Sequence, residues 1–298
     1  MFISRIGEFG LIKRFREKLK TDSSVIVGSG DDCAVLRFNS RMYQLFTCDM
    51  IVEGVDFTSR DDQYLVGRKA LAISISDIAA CAGRPKHAVV SLGLPRNLTV
   101  KKVDKIADGI FDLARKYGIN IVGGDISGAL RLTIDVSMLG LVEKKNLCLR
   151  STAKHGDVIF VTGPLGGSIK GKHLKFIPRL KEARFLVEHF KINSMIDISD
   201  GLAQDLWHIL EQSKVSAALY ESLVPLSRQS RGLSDALYSG EDFELLFTAS
   251  RKEAGKIYAA KRYKFFPIGE INPGSSGLSL IDKNNKNIKI NPRGYRHF

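Results

Sequence analysis

Apolar positions along the chain recur at two spacings, one near 3.6 residues and one near two, and each spacing marks a different kind of element. Phe9, Ile12, Phe15 and Leu19 fall on one helical face and predict a helix over Gly7 to Leu19. Tyr43 to Thr47 reads as a short strand. Leu65 to Ala82 is a long run of small and apolar residues, suited to a closely packed, buried helix. Val89 to Leu94 predicts a strand, and Val103, Ile106, Ile110, Leu113 and Ala114 predict a helix from Val103 to Lys116. Ile119 to Val122 and Leu132 to Leu139 are again strand-like.

The pattern changes near Arg150. Lys154-His155-Gly156-Asp157 is turn-like and Val158 to Val161 starts a new strand. A helix over Leu180 to Phe190, a strand ending at Asp197 and a helix over Leu202 to Gln212 follow. Further strands are expected at Glu244 to Phe247, Phe265 to Gly269 and Leu278 to Ile281, with a surface strand or tail from Lys283 to Arg296. At 298 residues the chain exceeds the size at which one core stops growing. The expected fold class is therefore α/β (α+β) with two domains, 1–145 and 146–298.

Composition narrows the partners. Forty-five Lys and Arg against 32 Asp and Glu give a net charge of +13, which suits nucleotides, phosphorylated metabolites, nucleic acid or a membrane surface. Cys33, Cys48, Cys81 and Cys148 are well separated and form no C-x-x-C pair, so a zinc ribbon or disulfide framework is not expected. Small apolar roles for them point to a reducing cytoplasm. Arg5, Glu8, Lys13, Arg14, Arg16, Glu17 and Lys18 interrupt the first twenty residues, which read as neither signal peptide nor anchor. No apolar run is long enough to span a membrane.

The chemistry is concentrated in aspartates set among small residues. Gly28-Ser29-Gly30-Asp31-Asp32-Cys33, Ile75-Ser76-Asp77-Ile78, Gly123-Gly124-Asp125-Ile126 and Ile196-Asp197-Ile198-Ser199-Asp200-Gly201 share this grammar, and Thr47-Cys48-Asp49 adds a fifth case. A single such Asp, for example Asp200 before Gly201-Leu202, reads equally well as a helix cap. Five in a basic chain suggest convergence on hard cations that bridge carboxylates to phosphates, with nearby glycines letting the backbone approach. Gly166 to His173 nearly matches a P-loop, yet His173 stands where Ser or Thr is needed, so a glycine-rich turn is the expectation. Six scattered histidines show no metal-ligand spacing.

Taken in order, these motifs closely resemble the thiamine-monophosphate kinases. The likeness runs through Gly7-Glu8-Phe9, Gly30-Asp31-Asp32, Asp49-Met50-Ile51-Val52-Glu53-Gly54-Val55-Asp56-Phe57 and Arg68-Lys69-Ala70-Leu71-Ala72. It continues through Asp77-Ile78-Ala79-Ala80, Gly123-Gly124-Asp125, Arg150-Ser151 with Gly156-Asp157, and Asp197-Ile198-Ser199-Asp200-Gly201. Ser239-Gly240-Glu241-Asp242-Phe243-Glu244 and the ending Gly294-Tyr295-Arg296-His297-Phe298 complete it. The resemblance implies an N-terminal domain like that of aminoimidazole ribonucleotide synthetase, dimerising through its sheet, followed by an α+β domain, with ATP in the groove between them. It implies magnesium ligation by Asp32, Thr47, Cys48, Asp49, Asp77, Asp125, Asp197 and Asp200, with Cys48 offering its backbone. It also implies ATP contacts at Tyr117, Gly124, Asp125, Arg150 and Ser199. Asp56, Glu241 and Tyr295 would hold thiamine monophosphate, Tyr295 by stacking on a cationic ring.

Two departures from the family pattern stand out. Asp56 replaces the usual histidine of the Val-Glu-Gly-x-His-Phe segment, and the interval from Gly171 to Asp197 is short, as if a surface helix had been trimmed. The implied reaction is direct transfer of the ATP γ-phosphoryl group to thiamine monophosphate by a cytoplasmic homodimer that uses several Mg2+ ions and needs neither nucleic acid nor membrane. A phosphate monoester with a second pKa of about 6 needs no general base. Another ATP-using enzyme of the same superfamily remains an alternative. So does a basic nucleic-acid-binding protein, which Lys170 to Lys175 and Lys283 to Arg296 would favour.

Overall fold

The computed structural model describes residues 2–274 and 276–295, so Arg296, His297 and Phe298 of the C-terminal motif lie outside the described residues. Strands sort into two sheets by their order in the chain. The first holds β1 (Val25–Val27), β2 (Ala34–Arg37), β3 (Met42–Val52), β4 (Arg84–Leu94), β5 (Asn120–Gly128) and β6 (Thr133–Glu143), in the spatial order β1-β2-β3-β6-β4-β5. Only β4 and β5 run parallel in it; the other pairs are antiparallel. Helix α1 (Ile3–Arg16) precedes the sheet, while α2 (Gln63–Ala80) and α3 (Val100–Tyr117) cover its inner face. On that face the alternation of β6 buries Ile134, Val136, Met138 and Val142.

The second sheet contains β7 (Asp157–Val161), β8 (Ile192–Asp197), β9 (Ser216–Tyr220), β10 (Leu245–Ser250), β11 (Phe266–Asn272), β12 (Leu278–Ile281) and β13 (Asn287–Lys289). Its order is β13-β12-β9-β11-β7-β10-β8, antiparallel except for β9 and β12. The connecting helices are α4 (Lys172–Lys175), α5 (Leu180–His189), α6 (Leu202–Ser213), α7 (Leu233–Tyr238) and α8 (Arg251–Ala259). Both faces of this sheet are covered, which is why β10 is buried at every position but its last. Ile159, Val161, Ile196 and Leu246 pack with α6 and α7, whereas Phe160, Met195, Leu245 and Phe247 pack with α5, α8 and the end of α2.

Helix α2 therefore belongs to both halves. Val66, Ala70, Leu71 and Ile75 join the core of the first sheet, and Ala79 and Ala80 join a core built on the second. Asp62 caps its start by accepting from the Tyr64 amide at 2.9 Å. Small residues let α3 approach closely: a Cβ at Gly67 would lie 2.0 Å from the Ile106 carbonyl oxygen, and one at Gly109 would lie 2.0 Å from that of Tyr64.

The mixed α/β architecture matches the expectation, with several local differences. Helix α1 begins earlier than the apolar spacing indicates and is broken at Gly7, whose φ of 70° is left-handed. β3 and β5 run well past Thr47 and Val122 because cross-strand pairing carries them through polar and glycine positions. β1, β2, β9, α7 and α8 had no counterpart in the hydrophobic pattern. For α8 a signal was present: Ser250 and Glu253 form the first half of a capping box, the Ser250 hydroxyl accepting from the Glu253 amide at 3.3 Å. No described helix is long and apolar enough to cross a membrane.

The α2–α3 crossing makes a stability prediction. Gly109→Ala should cost about 1–3 kcal/mol through overpacking, whereas Gly255→Ala in α8, where nothing stands within 4 Å, should stabilise by about 0.5–1 kcal/mol. Denaturant midpoints of the two variants would test this, and equal shifts would refute the close crossing.

Candidate active site

Four elements bring carboxylates to one point beside α2. Asp32 comes from the turn between β1 and β2, and Asp49 from β3, where alternation puts it with Thr47 on the inner face. Asp77 lies on α2. Asp197 ends β8 on the same face as Met195, the face that meets α2. One carboxylate oxygen from each of Asp32, Asp77 and Asp197 falls within 4.8 Å of the others. The Ser74 hydroxyl donates to Asp49 Oδ2 at 2.8 Å, the Ser76 hydroxyl to Asp197 Oδ2 at 2.6 Å, and Thr47 Oγ1 to Asp77. Thus three consecutive polar positions of one helix, Ser74, Ser76 and Asp77, organise acids from both sheets.

Arg150 closes the cluster from the segment joining the sheets. Its Nη2 lies 2.7 Å from Asp32 Oδ1, and its backbone amide donates to Asp31 Oδ2 at 3.0 Å. Its carbonyl accepts from the Ser213 hydroxyl of α6 at 2.8 Å. Burial lowers the pKa of this guanidinium, but Asp32 and Asp31 beside it more than offset that and hold it charged.

One arginine does not balance this many buried acids. Burial, followed by Asp32 alongside, pushes Asp31 up to about 7. Burial, again followed by Asp32, pushes Asp197 up to about 7. Asp49 rises to about 6 through burial, against the hydrogen bonds of Ser74 and Asp77. Asp77 is raised further still, by burial and then by Asp49, Asp197 and Asp32. Such a set wants a proton or a cation, and its all-oxygen donors fit a hard divalent ion.

Next to the cluster a cleft of about 980 Å³ runs between α1 and α6, lined by Lys13, Arg16, Gly30, Asp31, Arg150, Ser199, Asp200, Asp205 and His208. Asp200 does not cap α6. Gly201 holds the N-cap position, and Asp205 accepts from the Asp200 and Gly201 amides at 3.1 and 3.0 Å. Asp200, Asp205 and His208 form a second group within 4.8 Å, where burial and then Arg150 press the His208 pKa down to about 4.

The expected acceptor residues come together on the other side of Asp200. The Tyr295 amide donates to the Asp200 carbonyl at 3.0 Å, and Asp56 and Glu241 are close enough to raise the Tyr295 phenol, after burial, above its ordinary value. Lys69 links the other two: its Nζ lies 2.5 Å from Glu241 Oε2 and donates to the Asp56 carbonyl at 2.9 Å. The Asp56 carboxylate accepts from the Val52 amide at 2.7 Å and so closes the turn after β3.

Four expected site residues, Cys48, Gly124, Asp125 and Tyr117, hold their side chain or their whole strand or helix position away from the cluster. The Cys48 thiol points to the outer face of the first sheet and donates to Asp135 at 3.2 Å, because strand alternation separates it from Thr47 and Asp49; only its backbone stays near the cluster. Asp125 pairs with Ser91, then Asp135, then Met50, and so shares that outer face, while Gly124 lies in the row of Val90, Val136 and Asp49. Three strand spacings, roughly 14 Å, separate β5 from β3. Tyr117 ends α3 in a separate cleft with Arg84, Lys86, Lys181 and Arg184, away from Arg150 and Ser199.

The glycine-rich segment holds no phosphate site of its own. Both oxygens of Asp242 accept from the Gly166 amide, at 3.0 and 2.9 Å, and the Ser168 hydroxyl donates to Asp242 as well. A carboxylate already fills the anion-binding turn. Sequence reasoning also left Asp31, Ser74, Ser76, Lys69, Asp205 and His208 without individual roles. Adjacency to Asp32 and Asp77 was the available signal for the first three.

Residues 30–142 match the family model for the N-terminal domain of AIR synthase related proteins. The chain is 35% identical to the thiamine-monophosphate kinase of Buchnera aphidicola subsp. Schizaphis graminum, over 98% of this chain and 99% of that one. It is 33% identical to the thiamine-monophosphate kinase of Bacillus subtilis, over 98% of this chain and 100% of the relative. A solved structure, AaThiL complexed with AMPPCP and TMP, superposes with a TM-score of 0.88 at 29% identity, covering 100% of this chain and 99% of that chain. The Buchnera alignment runs over 325 positions against 298 residues here, so that relative carries residues this chain lacks.

The raised acids fix the sign of a pH dependence. Each binds its proton more tightly in the folded state. The stability this contributes is therefore complete below the ordinary carboxylate value near 4 and is lost as pH climbs through about 7. The metal-stripped protein should melt at a lower temperature at pH 7.5 than at about pH 5, and Asp77→Asn should raise melting at pH 7.5. Millimolar Mg2+ should restore it at the higher pH. Calorimetric scans that are flat across this range would remove the repulsion.

Proposed function

The chain belongs to the thiamine-monophosphate kinase family, and on that premise we propose that it transfers the γ-phosphoryl group of ATP directly to the phosphate of thiamine monophosphate, giving thiamine diphosphate and ADP. The observation that carries the reading is the carboxylate cluster split between the two halves, Asp32, Asp49 and Asp77 against Asp197, at the edge of a cleft. Each half alone lacks part of the oxygen donor set that would hold a cation against a triphosphate.

Mg2+ suits these donors: Asp32, Asp49, Asp77 and Asp197 would hold it, with Thr47, the Cys48 backbone and Asp200 alongside, and when bound it supplies positive charge against the phosphates. The chain's own groups do the rest. The Arg150 guanidinium and the Ser199 segment face the cleft and suit nucleotide phosphates. Asp56, Glu241 and Tyr295 surround the acceptor with acids and one aromatic ring, a match for the cationic thiazolium. Catalysis then consists of alignment and charge neutralisation, since the acceptor phosphate is already an anion. As the bond from the γ-phosphorus to the bridging oxygen breaks, a bond to an acceptor phosphate oxygen forms, with no phosphoenzyme between.

We also infer a homodimer built through the outer face of the first sheet. Phe46 and Met50 on β3 and Val89 on β4 are 43%, 58% and 39% exposed there, an apolar surface suited to a second copy. Because Asp125 shares that face, its part in metal or nucleotide binding would be played across the interface. The ATP contact assigned to Tyr117 has less support, given its separate cleft. The change of sheet after β6 supports a domain division at 145 as a proposal, and free thiols at Cys33, Cys81 and Cys148 favour the cytoplasm.

An assay with ATP, Mg2+ and a panel of phosphorylated acceptors tests the proposal. Thiamine diphosphate should form from thiamine monophosphate alone, and Asp125→Asn should lower turnover at least about a hundredfold while leaving melting unchanged. Background-level product would overturn the activity, and full activity in the variant would remove Asp125 from the site.

A further inference from the structure

The amine of Lys69 is wholly enclosed, which is unusual for lysine in a helix of ordinary solubility. Its neighbours explain the burial. Nζ meets Glu241 Oε2 at 2.5 Å and the Asp56 carbonyl at 2.9 Å, so the charge is paired and hydrogen-bonded. The Glu241 side chain is 22% exposed, so the carboxylate stands between the buried amine and solvent, on the side where the acceptor is proposed to bind.

That carboxylate sits on a constrained backbone. Glu241 and Phe243 have φ of 59° and 49°, left-handed values costly for residues with a side chain. The Glu241 amide donates to the Ser199 carbonyl at 2.7 Å and the Phe243 amide to that of Ile198 at 2.8 Å, tying this loop to the nucleotide side of the site. Phe243 stacks on Phe176 at 4.0 Å between ring centres, and Arg68, one residue before Lys69, donates to the Leu174 carbonyl at 3.1 Å and to that of Phe176. The loop backbone is thus secured by other contacts, and Lys69 governs where the carboxylate points.

We propose that Lys69 is the positioning residue of the acceptor pocket, holding the Glu241 carboxylate and the Asp56 backbone in the arrangement that receives the cationic rings of the acceptor. This rests on the kinase reading above. A purely structural ion pair would affect melting and both substrates alike. A positioning role acts on one substrate.

Lys69→Met, Glu241→Gln and the double variant separate the two. Lys69→Met should raise KM for thiamine monophosphate about tenfold or more, the scale of a lost charged hydrogen bond, while KM for ATP stays within about twofold. The double variant should be no worse than the more affected single one, because both remove the same interaction. An unchanged acceptor KM, equal rises for both substrates, or effects that multiply would overturn the proposal. If Lys69→Met does not fold, Lys69→Gln, which keeps a donor for Asp56 but no charge, carries the same outcomes. Calorimetric binding of thiamine monophosphate reads the role independently of turnover. An unmodified protein that binds it without forming product would sink the kinase reading, and the roughly tenfold weaker binding expected of Lys69→Met would still decide the positioning role.

Discussion

Repulsion among buried carboxylates is the constraint around which this molecule is arranged. Asp32, Asp49, Asp77 and Asp197 are brought together although burial and mutual charge oppose it. What holds them is a scaffold that gives Asp49, Asp77 and Asp197 hydroxyl donors and Asp32 the Arg150 guanidinium, and packs the whole against helix α2. Because the acids arrive from two sheets, the halves cannot separate without dismantling the cluster. Its uncompensated negative charge is what a bound cation would relieve, and a cation held there would in turn attract a triphosphate.

Helix α2 makes this workable because it is apolar on most of its surface and polar at only a few positions. Ala70, Leu71 and Ile75 anchor it in one core, and Ala79 and Ala80 in another. Ser74, Ser76 and Asp77 face the acids, and Arg68 and Lys69 reach loops of the second half at Leu174 and Glu241. The nucleotide and acceptor ends are coupled through the same helix and through the strap from Ser199 to Glu241.

How legible this was in the sequence depended on whether a residue's role is local. Asp77 and Asp197 stand in apolar segments where a charge needs a reason, and both were found. Asp49 and Cys48 are neighbours and read alike, yet alternation along β3 sends one side chain inward and the other to the opposite face. Asp125 was legible as a motif but not as a position, since sheet order places it three strands from Asp49. Strands β1, β2 and β9 are three to five residues long and owe their existence to pairing partners far along the chain. Lys69 could not be recognised as buried, because its partners Asp56 and Glu241 lie 13 and 172 residues away.

The turn at Gly166 was set aside because His173 lacks the hydroxyl a phosphate loop requires, and the structure supplies a stronger reason. Asp242 occupies the place of the anion, bonded to the Gly166 amide and to Ser168. In pharmacological terms the loop arrives already liganded by its own chain. Compounds shaped to seat a phosphate mimic in a glycine-rich turn have no vacancy to enter there, so inhibitors of P-loop enzymes and inhibitors of this one must be built on different anchoring points.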